Sequence, residues 1–325
     1  MNSFGRIFRV TVFGESHGDC VGVCLDGVPP GISLNEADFA IDLERRKGGL
    51  QKGTTPRQEE DWPLIKTGVF RGYTTGAPLT ILFENKNIRS QDYESQRAIP
   101  RPGHADFVAH HKFRGFEDYR GSGHFSARLT VGIVAAGVVA KKIIPSINIQ
   151  AQVTEVGGFS DVEQGLARAI AEKDTVGGII ECRSSGLPLG WGEPFWDSLE
   201  SMIAHAIFAI PAVKGIEFGA GFSAANMLGT QHNDVLLNKQ GHTKTNHSGG
   251  IVGGISTGNE LHFRLVVKPT SSTPKMQTSL NWHNNEMESF SVKGRHDLCV
   301  ALRAPVIVEA MTAIVLADFS SLTTS

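Results

Sequence analysis

Glycine constrains this chain more than any other residue. There are 37 glycines among 325 residues, spread from end to end with no fixed period. That distribution excludes a collagen repeat, a solenoid and a flexible linker, and it implies many tight turns between short regular elements. Between the turns, alternating apolar residues predict strands at 9–13, 21–25, 64–71, 78–84, 147–156, 178–183 and 261–267. Ser33 with Glu36 forms a capping box before a helix whose apolar side carries Phe39, Ile41 and Leu43 and whose last turn holds Glu44, Arg45, Arg46 and Lys47. Further helices are expected from Ser126 to about 142, at 162–172, at 199–209, and from Pro305, with Val306, Val308, Met311, Ile314 and Val315 as a buried stripe. Residues 48–60 read as a mobile basic loop carrying Lys52 and Arg57. No low-complexity linker divides the chain, so a single domain over 1–325 is expected, of mixed α/β or α+β class.

Charge excludes some partners. The 31 basic and 33 acidic side chains leave a formal charge of -2, so no overall attraction to nucleic acid or an anionic membrane is implied, and any anion site must be local. Cys20, Cys24, Cys182 and Cys299 form no Cys-x-x-Cys pair, which fits reduced thiols. No run of 18 apolar residues and no leader-like start is present, so a cytoplasmic, unanchored protein is expected.

Four local patterns suggest chemistry. Gly14-Glu15-Ser16-His17-Gly18 has the spacing of a nucleophile elbow, but the residues after it alternate like a strand where a helix is required. His104, Asp106, His110 and His111 are close enough for a metal site, without a His-Glu-x-x-His pattern to support it; a helix end bearing two histidines is the bland alternative. Gly121-Ser122-Gly123 before a helix resembles part of a dinucleotide fingerprint with its third glycine missing. Finally, Arg45, Arg46, Lys52, Arg57, Arg101, Arg128 and Arg295 accompany His17 and His104, several of them beside turn residues that place side chains on ligand-facing loops.

Six long motifs in order resemble the chorismate synthase family over nearly the whole chain. They are Phe8-Arg9-Val10-Thr11 with Phe13-Gly14-Glu15-Ser16-His17-Gly18 and the following 26–31 turn; Arg89-Ser90-Gln91-Asp92-Tyr93; Arg101-Pro102-Gly103-His104-Ala105-Asp106; the glycine-rich 246–256 segment; Lys268-Pro269-Thr270-Ser271-Ser272; and Gly294-Arg295-His296-Asp297. The resemblance implies an anti-1,4-elimination of phosphate from 5-enolpyruvylshikimate-3-phosphate, using reduced FMN without net redox change, with NADPH a candidate reductant. It implies an α+β fold, a β-α-β sandwich with helices between antiparallel sheets, assembled as a homotetramer.

By the same resemblance, His17 protonates the departing phosphate, His104 protonates the reduced flavin, and Asp297 helps take the substrate proton. Histidine suits such work, its reference pKa being about 6.5. Ser126, Gly253, Lys268, Pro269, Thr270, Ser271, Ser272 and Arg295 fall at flavin contacts, and Arg46, Lys52, Arg57, Arg101 and Arg128 at substrate contacts, where guanidinium forks suit carboxylate and phosphate. Three departures stand out: His124-Phe125 replace an Arg-Ser pair, Lys52 replaces arginine, and the stretch 157–175 is shorter than in many members.

Overall fold

The computed structural model of the chain describes residues 2–49, 52–55, 59–86, 97–292 and 296–323. Ser3–Phe4 (β1), Arg9–Gly14 (β2), Cys20–Asp26 (β3), Leu64–Thr67 (β4), Val69–Phe70 (β5), Tyr73–Thr74 (β6) and Leu79–Glu84 (β7) are the strands of the first half. All but the β5–β6 hairpin join one antiparallel sheet in the order β1-β2-β3-β7-β4. Asn148–Val156 (β8), Gly178–Ser185 (β9), Val213–Phe218 (β10) and Leu261–Val267 (β13) form a second antiparallel sheet, β10-β13-β9-β8. Ile251–Val252 (β11) pairs with Ile255–Ser256 (β12), and Gln277–Asn281 (β14) with Glu286–Phe290 (β15). In β7, β9 and β13 buried and more open residues alternate, so each sheet turns one face inward.

The longer helices among the described residues are Ala40–Arg46 (α1), Asp106–Lys112 (α2), Thr130–Ile143 (α3), Val162–Glu172 (α4), Leu199–Ile207 (α5) and Pro305–Thr323 (α6), and two of them lie between the sheets. α3 packs on β3 and β7, α6 on β8 and β9, and the two helices pack on each other. Their sequences answer to that position. A helix covered on both sides must be apolar all round, and residues 130–140 of α3 are buried without exception. The stripe expected on α6 is likewise a nearly continuous buried surface from Val306 to Phe319. By length and composition Pro305–Leu322 is apolar enough to cross a membrane, yet most of it is enclosed by the sandwich. Gly137 brings the two helices close, since a Cβ there would lie 2.3 Å from the Cβ of Ala310.

Charged side chains tie the layers at their edges. The buried Glu309 of α6 accepts from Arg45 of α1 through both oxygens at 2.7 Å, from Lys141 of α3 at 3.3 Å and from the Ala151 N–H of β8 at 3.1 Å. Asp318 takes the backbone N–H groups of Arg6, Ile7 and Phe8, fastening the N-terminal segment to the end of α6. The α1 cap is shifted from its expected place: Asn35 and Asp38 form the reciprocal box and lead into a 3-10 turn at Glu36–Phe39. Both pairs satisfy the same spacing rule, but Ser33 is held in an antiparallel bridge to Tyr73, and the turn begins after Asn35. The 64–71 run is broken after Thr67, where Gly68 turns the chain into the β5–β6 hairpin.

Candidate functional site

A cavity of about 800 Å³ opens between the edge of the first sheet, the start of α3, the end of α5, and segments 208–214, 268–272 and 296–303. Val10, Ile133, Ile210, Pro211 and Ile314 give it an apolar side, and cations and histidines line the rest. Ser126 caps the Ala127–Leu129 turn that leads into α3, so the positive end of that helix faces the cavity.

His17 enters the wall because the turn opposite it has glycine where it meets the ring. Gly121, Ser122 and Gly123 take successive positive φ values of 56°, 69° and 51°. A Cβ on Gly121 would stand 2.1 Å from the His17 ring, and the Ser16 N–H donates to the Gly123 carbonyl at 3.1 Å. The glycine segment is thus the cradle of His17. Ser16 is fully buried and is followed by a turn and β3, so no nucleophile elbow forms.

His104 stands on the turn before α2. Its Nδ1 lies 2.6 Å from Asp106 Oδ1, which suits donation to the carboxylate and leaves Nε2 toward Ser122 Oγ at 3.3 Å. Arg101 grips the same carboxylate with Nε and Nη2, both at 2.8 Å, and donates to Ser272 Oγ at 2.9 Å and Ser122 Oγ at 3.1 Å. Burial works to raise the Asp106 carboxyl, but Arg101 and His104 outweigh it and hold it well below the usual range. Arg101, expected at a substrate contact, lines the cavity while its guanidinium clamps Asp106. Its donors are nearly all engaged inside the protein, because Asp106 lies five residues away on the same turn.

Arg46 and Arg128 converge on Asp61, a buried residue outside every sequence expectation. Arg46 Nη2 donates to Asp61 Oδ2 at 2.5 Å, and Arg128 Nη1 donates to Asp61 Oδ1. Burial opposes ionisation of Asp61, and the two cations outweigh it and hold the carboxyl low. Burial also pushes the Arg46 guanidinium down, although a guanidinium keeps its proton throughout the physiological range. Asn85 joins this group to the His17 turn: its Oδ1 accepts from Arg128 Nε at 2.9 Å while its Nδ2 donates to the carbonyls of Glu15 and Gly18.

Asp297 also lines the cavity, 8% exposed, accepting from the Thr55 N–H at 2.8 Å and from Arg303 Nη2 at 2.7 Å. Arg303 also donates to the carbonyl of Arg46 at 3.4 Å. It was missed in the sequence because it stands in a short 3-10 turn, Val300–Arg303, with no motif of its own.

The expected flavin contacts divide. Ser126, Lys268, Thr270, Ser271 and Ser272 line the cavity, whereas Gly253 sits in the β11–β12 turn and Pro269 does not reach the wall. Gly253 is placed apart because its neighbour Gly254 is bound to the other end of α5, its carbonyl accepting from the Leu199 N–H at 2.8 Å. Ser271 Oγ is engaged, donating to the Gly103 carbonyl and accepting from Lys268 Nζ, while the buried Thr270 Oγ1 lacks a partner. Burial lowers the Lys268 pKa and Lys214, another lining residue, lowers it further, so an anion beside the two lysines would relieve both. His124 lines the cavity with both ring nitrogens engaged: Nδ1 meets the Gly14 carbonyl at 2.9 Å and Nε2 meets Asn2 Oδ1 at 3.1 Å. Phe125 lines the wall and packs against Phe113 at 6.1 Å between ring centres. Lys52 is exposed and away from the wall, and Arg57 and Arg295 lie outside the described residues, as does 89–93.

The metal alternative is not assembled. His110 pairs with Glu117 at 2.9 Å and stacks on Trp282 at 4.7 Å. Among the described residues no three potential ligands converge.

Comparison with known proteins agrees with this geometry. The family profile described as Chorismate synthase matches residues 8–320. A chorismate synthase of Chitinophaga pinensis is 67% identical over 320 residues, covering 98% of this chain and 96% of the relative. One from Dehalococcoides mccartyi is 45% identical over 350 residues, and one from Pyrococcus abyssi 42% over 344, each covering 96% of the relative and at least 97% of this chain. A solved structure described as "Crystal Structure of Chorismate Synthase" superposes with a TM-score of 0.74 at 25% identity, covering 97% of this chain and 92% of its own. With the family profile spanning both sheets and the helices between them, and the sandwich matching a solved member, the chain belongs to the chorismate synthase family.

Proposed function

We propose that the 800 Å³ cavity is where this chain, a carbon-oxygen lyase of the shikimate pathway, converts 5-enolpyruvylshikimate-3-phosphate to chorismate. The observation that carries the assignment is the gathering of His17, His104, Asp297, Arg46 and Arg128, drawn from distant parts of the chain, around one space. The residues present fit a flavin mononucleotide. Lys214, Lys268 and the unpartnered Thr270 hydroxyl suit its phosphate, and the apolar side suits its ring. What reduced flavin supplies when bound is a transient donation of electron density toward a substrate with a poor leaving group.

The chain's own residues do the rest. Arg46 and Arg128 bind an anionic group of the substrate through the N–H donors left after Asp61 is satisfied. His17, enclosed by Gly121, delivers a proton to the departing phosphate. His104 holds a proton at Nε2, oriented by Asp106 at Nδ1. Asp297, steadied by Thr55 and Arg303, receives the substrate proton. NADPH serves as reductant, and the chain works in the cytoplasm as a homotetramer; the exposed Phe195, Trp196 and Phe222 support association between copies.

The test is anaerobic phosphate release from 5-enolpyruvylshikimate-3-phosphate with and without reduced FMN. Release only with reduced flavin is expected, and equal rates in both conditions would sink the reading.

A further inference from the structure

Two buried guanidinium groups side by side repel each other, and in this cavity wall one carboxylate answers both. Arg46, Asp61 and Arg128 all line the cavity, and the Asp61 side chain is fully enclosed. One negative charge against two positive ones leaves the group with an excess positive charge facing the ligand space. Each guanidinium carries five N–H donors. Arg128 places its remaining contacts on Asn85 Oδ1 and the Glu84 carbonyl, Arg46 reaches Thr130 Oγ1 at 3.4 Å, and Arg46 Nε is buried without a partner. Asp61 also has a φ of +50°, in the left-handed region, which a non-glycine residue adopts only where the surroundings hold it.

From this arrangement we propose that Asp61 is the positioning residue of the substrate-anion site: its carboxylate bridges Arg46 and Arg128, holds their forks together against repulsion, and leaves them one positive charge in excess for a substrate phosphate or carboxylate. The inference rests on the reading that these two arginines receive the substrate. Asp61 itself touches neither substrate nor flavin in this scheme. Through Arg128 and Asn85 it also fixes the anion site relative to the turn that carries His17.

Asp61→Asn keeps the shape but sets an amide N–H against a guanidinium. Under anaerobic turnover with reduced FMN, KM for 5-enolpyruvylshikimate-3-phosphate is expected to rise at least about tenfold, as when one partner of a buried charge pair is lost. KM for reduced FMN should stay within about twofold, a split that a merely structural residue would not produce. An unchanged or lower substrate KM, or a parallel rise of both constants, overturns the proposal. Arg46→Lys and Arg128→Lys test the underlying reading separately. If both leave substrate KM unchanged, that reading fails. If they raise it while Asp61→Asn does not, only the positioning role fails. Should Asp61→Asn not fold, Asp61→Glu retains the charge one methylene away, and the same split is required of it.

Discussion

Asp106 holds two neighbours with one carboxylate. It pairs with His104 and neutralises Arg101, both within the same turn. Asp106→Asn is expected to lower kcat by about 10-fold to 10²-fold, the scale for losing a partner that orients a catalytic group. His104→Ala should cost about 10²-fold or more with the fold retained. Parental kcat in either variant would remove the pair from the mechanism. The same residue carries a pH signature. Asp61 and Asp106 both have pKa values below the ordinary 3.8 in the folded protein. A depressed carboxyl stabilises the fold above its unfolded pKa, and this contribution disappears as pH falls through the folded value. The thermal midpoint should therefore fall as pH drops below about 4, and fall less steeply in Asp106→Asn. An acid limb identical to the parent's would count against the charged Asp106 pair.

At the level of elements, the central helices depend on small residues more than on side-chain polarity. Gly137→Val would drive a side chain into Ala310, where even a Cβ has no room. A loss of about 1–3 kcal/mol in urea-induced unfolding is expected, and an unchanged unfolding midpoint would mean α3 and α6 tolerate separation. Most elements were legible because their periodicity is local: 162–172 and 261–267 match α4 and β13 to the residue. β10 escaped detection since Val213–Phe218 contains Lys214, Gly215 and Glu217, and its pairing with β13 carries an irregularity near Gly215. The β14–β15 hairpin escaped for a similar reason, its Gln277–Asn281 strand being largely polar.

For the molecule as a whole, apolar surface remains outside the core. Trp196 is 90% exposed and Phe195 86%, on a 3-10 turn that none of the described residues covers. Large exposed aromatic side chains grouped in this way mark association surfaces. Trp196→Glu is expected to shift the mass measured by light scattering toward smaller species, and an unaltered mass would locate the interface elsewhere. The family and the sandwich were both readable in the motifs, since the order of these long segments along the chain is enough to identify the family. Partnership was not readable. Arg101 meets Asp106, Arg128 meets an aspartate 67 positions away, and Asp297 meets Arg303 and the Thr55 backbone. Residue type and spacing declare what a side chain can bond to; which of its donors are already taken depends on neighbours that only the folded chain brings within 3 Å, and that count decides whether a cation is a receptor or a clamp.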